Sequence, residues 1–206
     1  MNITLLDILH KYLPEQTVEY CYQLWEDNPF HFTVTRRRQT KLGDYRYSPQ
    51  EKSHTITINY DLNKFSFLVT YIHEVAHLHT AISHGHRVKP HGNEWKNRFK
   101  ELLHPLVQQR VFPGNIESAL SSYLVNPKAS SCTDMGLLKA LGTYDDQQHF
   151  KYLSEVNISE TFSFNNKVFQ KERVNRTRAI CKDVASGRKY YVSEGALVEV
   201  LQKSLF

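Results

Sequence analysis

The spacing of apolar positions changes period three times along this chain. Over residues 3–12 and 15–26 it is helical. Ile3, Leu5, Leu6, Ile8 and Leu9 are followed by Val18, Tyr22, Leu24 and Trp25, with Pro14 between the two runs. The period then drops to two. Phe30, Phe32 and Val34 alternate with His31, Thr33 and Thr35 until Arg36, Arg37 and Arg38 end the run. Leu42-Gly43-Asp44 reads as a turn and Tyr45-Arg46-Tyr47 as the start of a strand. Residues 54–59 alternate again, with Ile56 and Ile58 on one face. These segments predict two helices and a small antiparallel sheet.

The helical period returns at Leu62 and lasts to about Ser83, with Asp61 placed as an N-cap and Gly85 as a stop. A further helix is expected from Asn93 through Trp95, Phe99, Leu102 and Leu103, which Pro105 kinks or ends. Another spans residues 115–125, and a short one lies near Met135 to Leu141. Beyond residue 160 the period is two once more. Phe162 to Phe169 reads as a hairpin across Asn165-Asn166, since Asn tolerates positive φ. A second hairpin runs from Arg178 to Val192, and Leu197 to Leu201 reads as a last strand. The expectation is an α+β fold: a domain over residues 1–127, a connecting segment over 128–159 and a small β-rich module over 160–206.

Composition narrows the class. The 206 residues are 40% hydrophobic and 23% charged, as in ordinary water-soluble domains. The first residues are interrupted by Asp7, His10 and Lys11 and read as an amphipathic helix, not a leader. The longest uncharged apolar run, Phe65 to Ile72, is too short to cross a bilayer. The expectation is therefore a cytoplasmic protein with no membrane partner. Cys21, Cys132 and Cys181 are far apart and form no C-x-x-C pair, which argues against a disulfide framework and a thiolate metal site. The net charge of +5 permits an acidic partner without requiring one.

Histidine is the exception. Seven of the eleven fall between His73 and His104. Within that stretch stands His73-Glu74-Val75-Ala76-His77. On a helix, residues four apart differ by about 40° in direction and about 6 Å in rise, so two imidazoles can meet at one ion. Glu74 follows the first of them on a neighbouring part of the same face, within reach of a metal-bound water. A catalytic zinc takes three protein ligands and leaves a fourth place open. Candidates for the third are His79, His84, His86, His91, Glu94 and His104. His79 points about 200° away from His77, and His84 lies about 10 Å further along the axis. His86 requires a tight reversal. His91 returns from a loop just ahead of the next helix, with Gly92 giving the backbone room. Glu94 stands next, although a carboxylate there also suits a helix N-terminus.

Four blocks taken in order make a resemblance specific. They are Arg37-Arg38 with Lys41-Leu42-Gly43-Asp44-Tyr45-Arg46, Ile56-Thr57-Ile58-Asn59 with Asp61-Leu62-Asn63, the His73 to His77 motif, and His91-Gly92-Asn93-Glu94-Trp95. Over residues 15–110 the chain resembles the SprT-like family. The resemblance implies a helical minimal metalloprotease fold, one zinc ion at His73, His77 and His91, and Glu74 as catalytic base. Many members carry a four-cysteine zinc ribbon after the protease domain. Residues 160–201 look similar to it in hairpin pattern, but only Cys181 stands where a ligand might, so a ribbon-like module without zinc is expected.

The implied activity is that of a zinc-dependent metallopeptidase with a protein substrate. Some members degrade proteins trapped on DNA. Arg36, Arg37, Arg38, Lys41 and Arg46, beside Tyr45 and Tyr47, would suit nucleic acid, as would Lys171, Arg173, Arg176, Arg178, Arg188 and Lys189 in the last module. Two other readings remain: a non-catalytic, metal-stabilised module that binds nucleic acid or a partner, and a zinc hydrolase for small molecules. An intact Glu74 argues against the former, because a structural zinc has no use for a general base.

Overall fold

The computed structural model describes residues 4–38, 41–127, 134–145 and 150–201. It has the mixed α+β architecture expected, in two compact units, Met1–Asp145 and Asp146–Phe206. Cys132 lies outside the described residues, while Cys21 and Cys181 are buried free thiols.

The first unit opens with α1 (Leu5–Tyr12) and α2 (Val18–Asp27). Thr4 and Asp7 cap α1 reciprocally, each side chain satisfying a backbone N–H of the other. Strands β1 (His31–Thr35), β2 (Gly43–Ser48) and β3 (Ser53–Asn59) form one sheet in the order β1-β3-β2. The antiparallel expectation holds for β2 and β3 only; β1 runs parallel to β3. Alternation reveals which face of a strand is apolar but not its direction. Here β2 takes the far edge of β3, leaving the near edge to β1.

Helix α3 (Lys64–His84) is the centre of this unit. Phe67, Leu68, Tyr71, Ile72, Val75 and Leu78 are all buried, on more than one side of the helix. A helix apolar nearly all round belongs in a core. Ile56 and Ile58 of the sheet are in the same cluster, as are Trp95, Phe99 and Leu103 of α4 (Asn93–Gln108) and Ile116 and Leu120 of α5 (Gly114–Val125). Each such burial contributes roughly 1.5–3 kcal/mol. The N-cap of α3 is Asn63, not Asp61. Asn63 Oδ1 accepts from the Phe65 and Ser66 N–H groups, whereas Asp61 pairs with Arg37 at 3.3 Å. The helix ends as expected at Gly85, whose φ of 76° favours glycine. Pro105 sits inside α4 without ending it. A last helix, α6 (Met135–Gly142), completes the unit.

The second unit is a six-stranded antiparallel sheet: β4 (Phe150–Tyr152), β5 (Thr161–Phe164), β6 (Lys167–Asn175), β7 (Arg178–Asp183), β8 (Lys189–Ser193) and β9 (Leu197–Val200), in the order β4-β9-β5-β6-β7-β8. Asn165 and Asn166 both take positive φ between β5 and β6, as their turn chemistry predicts. Phe162, Phe169, Ala179, Cys181, Val192 and Val198 form its core with Leu153 and Val156. Tyr191 is outside it, 62% exposed. Lys171 is not a surface cation: it is 2% exposed, and its ammonium donates to the Leu153 and Val156 carbonyls and pairs with Glu194 at 3.1 Å. No described helix of either unit is long and apolar enough to cross a membrane.

Candidate metal centre

Helix α3 carries His73 and His77 one turn apart, and the loop after Gly85 brings back His91. Their Nε2 atoms form a triangle with edges of 3.3 Å between His77 and His73, 2.9 Å between His77 and His91, and 3.2 Å between His91 and His73. Three imidazoles in contact cannot all donate to one another. Tetrahedral coordination at about 2.05 Å would set the same nitrogens about 3.3 Å apart, so the triangle fits a single metal ion. The donors also suit it electrically. Burial, reinforced by His77 and His91, holds His73 well below the usual imidazole range, and burial lowers His91. Burial and His91 bring His77 down to about 3. The rings are therefore neutral and able to donate electron pairs.

Among the described residues, this is the one group of three or more His, Cys, Asp or Glu arranged to hold a metal. Of the other candidates, His79 is only partly buried on α3, with an unpartnered buried Nε2, and His86 stacks on Tyr47. His84, Glu94 and His104 do not join the triangle.

Trp95 holds the three rings in place. It is 1% exposed, its indole N–H donates to the His73 carbonyl at 3.3 Å, and its ring centroid lies 4.6, 5.3 and 4.7 Å from His73, His77 and His91. Phe99 stacks behind it at 5.0 Å. The four-residue spacing of Trp95 and Phe99 on α4 produces this backing; in the sequence both stand on the apolar face of the expected helix, and Trp95 also closes the block that begins at His91.

Glu74 is buried between α3 and the edge strand β2. Burial, with a smaller contribution from the Asp44 carboxylate, pushes it up to about 8. The Arg38 guanidinium, the Tyr45 backbone N–H and the Lys41 ammonium act the other way. The strand comes this close because residue 43 is glycine. A Cβ there would meet Glu74 Oε1 at 2.5 Å and Thr70 Cγ2 at 2.7 Å. Gly43 was read from the sequence only as a turn residue; nothing in the linear pattern reveals what it faces.

The residues offered for nucleic acid have other neighbours. Arg38 donates to Asn59 Oδ1 at 2.8 Å and Thr57 Oγ1 at 2.9 Å, and also to the Leu42 and Thr57 carbonyls. Asn59 in turn donates to the Arg38 and Lys41 carbonyls. This network fixes the approach to β2. Lys41 and Arg46 both pair with Asp44, at 2.7 and 2.6 Å, and Arg37 pairs with Asp61. Arg36 is exposed, with no ion-pair partner among the described residues.

The triangle and Glu74 line a cleft of about 450 Å³. Its walls are the Lys41–Tyr45 stretch, the face of α3 from Thr70 to Ala81, and the loop from Gly85 to His91. Comparison with curated proteins and with solved structures gives no significant match. The SprT-like family model matches residues 10–112, half of the chain, and that span includes the sheet, all of α3, the three histidines, Glu74 and Trp95. SprT-like domains are typically of the metalloprotease type and metal-dependent. On this evidence the chain belongs to the SprT-like family.

Proposed function

We propose that the chain is a zinc-dependent endopeptidase. One observation carries the reading: three imidazole nitrogens converge within 3.3 Å of one another, and they line one cleft together with a buried carboxyl group. Three nitrogen ligands with an accompanying Glu suit zinc among the common metals. A bound zinc would supply a water of lowered pKa and polarise the scissile carbonyl.

The remaining work falls to the chain. His73, His77 and His91 would hold the ion, and Trp95 fixes their orientation. Glu74 takes the proton of the attacking water and returns it to the leaving amine. Its surroundings favour the first event, because a cation on the three imidazoles stabilises the carboxylate form that burial opposes. Burial also keeps the carboxyl group protonated near neutral pH, so the proton is held there until the leaving amine takes it. Tyr45, held up to about 12 by burial and by Tyr47, remains a protonated phenol on the cleft wall.

The test is cleavage of an unfolded protein by the zinc-loaded chain, with Glu74→Gln as control. Wild type no more active than the variant would refute the peptidase reading. The same assay on a DNA-bound protein, with and without free DNA, tests for a nucleic-acid partner. That extension is favoured by strands β7 and β8, where exposed Tyr191 stands opposite Ile180 and, two positions along, exposed Lys189 stands opposite exposed Lys182. Cleavage that is indifferent to DNA excludes it.

A further inference from the structure

Four rings outside the triangle form a connected group. Tyr47 and His54 are directly opposed in the β2–β3 register, with ring centroids 4.9 Å apart. The Tyr45 hydroxyl and His54 Nδ1 are 2.9 Å apart. Tyr47 also stacks on His86 at 3.9 Å and 15°. His86 is the first residue after Gly85, on the loop that ends in His91.

That loop has few other attachments. Arg87, Lys89 and Pro90 are exposed and Val88 is partly so. The Gly92 N–H donates to the Lys89 carbonyl at 2.9 Å, which closes a turn within the loop. Among the described residues, no hydrogen bond ties residues 86–90 to another element. Yet His91 takes a φ of 57°, uncommon for a residue with a side chain and stable only where the surroundings enforce it. The loop is therefore held at its two ends, by His86 on Tyr47 and by His91 on Trp95.

We infer that Tyr47 is a positioning residue for the metal centre: by stacking on His86 it holds the loop that presents His91 as third ligand. The inference rests on the zinc reading above. It gives hairpin β2–β3 two duties, since the same strand places Gly43 and the Tyr45 N–H against Glu74. One strand thus supports the base from one side and, through the loop, the third ligand from another.

The test measures Zn2+ affinity of the full chain by competition with a chelator of known affinity, a readout independent of cleavage. Tyr47→Leu and His86→Leu should each weaken binding about tenfold, the scale of lost support for a ligand. The double variant should be no weaker than either single one, because both remove the same contact. Tyr47→Phe keeps the ring and should stay within about twofold of wild type. Single variants that bind Zn2+ as tightly as wild type overturn the inference, and so do single effects that add in full. If Tyr47→Leu fails to fold, His86→Leu, whose side chain is exposed on the loop, decides the question alone. A wild type that binds no Zn2+ removes the zinc reading as well, whereas tight binding in every variant removes only the role of Tyr47.

Discussion

Each unit of this protein buries an ionisable group, and the two are treated in opposite ways. In the second unit the Lys171 ammonium is fully engaged, by two carbonyls and Glu194. It cross-links the Leu153–Val156 segment, β6 and the turn before β9. In the first unit Glu74 is packed against a glycine and has no ion-pair partner among the described residues, and its pKa is pushed up to about 8. A buried charge with every partner in place is structural. A buried acid held away from its preferred charge state is poised for proton transfer. The difference explains why only one of the two units reads as a reaction centre.

The comparison can be broken at either end. The largest effect is expected from Glu74→Gln, which keeps the shape and removes the proton acceptor. Cleavage should fall by about 10²–10⁴-fold while zinc content is unchanged. Next comes Lys171→Met, which leaves Glu194 without its cation. Breaking a buried pair typically costs about 3–5 kcal/mol, to be read from denaturant unfolding, with hydrogen exchange showing the loss confined to the second unit. Removing Glu194 as well, in Lys171→Met/Glu194→Leu, should restore part of it.

A smaller effect follows from Gly43→Ala. The new methyl group must displace Glu74 or Thr70, at about 1–3 kcal/mol in thermal stability, with a loss of cleavage larger than the loss of metal affinity.

The last prediction concerns pH in the metal-free protein. The folded pKa of Glu74 lies above the ordinary carboxyl value of 4.5, so folding favours its protonated form. Its contribution is fully present below about 4.5 and is lost as pH rises through about 8. Glu74→Gln should therefore be more stable than wild type at pH 9, with the gap closing by pH 4.5. His77 has the opposite sign. Its folded value of about 3 lies below 6.5, so the unfolded chain takes up the proton first and stability declines as pH falls from 6.5 toward 3. Melting temperatures from pH 3 to pH 9 check both signs.

Much of the site was legible because helical spacing is a rigid rule: four residues on α3 return His77 to the side of His73. What escaped depends on contacts between segments far apart in sequence. Gly43 looked like a turn residue, and only the docking of β2 on α3 shows that it makes room for Glu74. Asp61 had the chemistry of an N-cap, but Arg37 claims it, and Asn63 is better placed. Lys171 was read as a surface cation because single lysines usually are. Its burial follows from two carbonyls and a carboxylate that meet only when the sheet closes. The basic residues near β2 read as a surface for phosphate, yet Arg38, Lys41 and Arg46 bind within the hairpin's own neighbourhood.

Trp95 gives the centre an optical consequence. The chain has two tryptophans, and the other, Trp25, is on α2 with its indole N–H donating to the Phe30 carbonyl. The Trp95 indole lies against all three imidazoles. An ion with visible absorption, such as cobalt, seated among them would quench that emission by energy transfer. With Trp25 replaced by phenylalanine, the remaining fluorescence becomes a built-in gauge of occupancy, readable without any substrate.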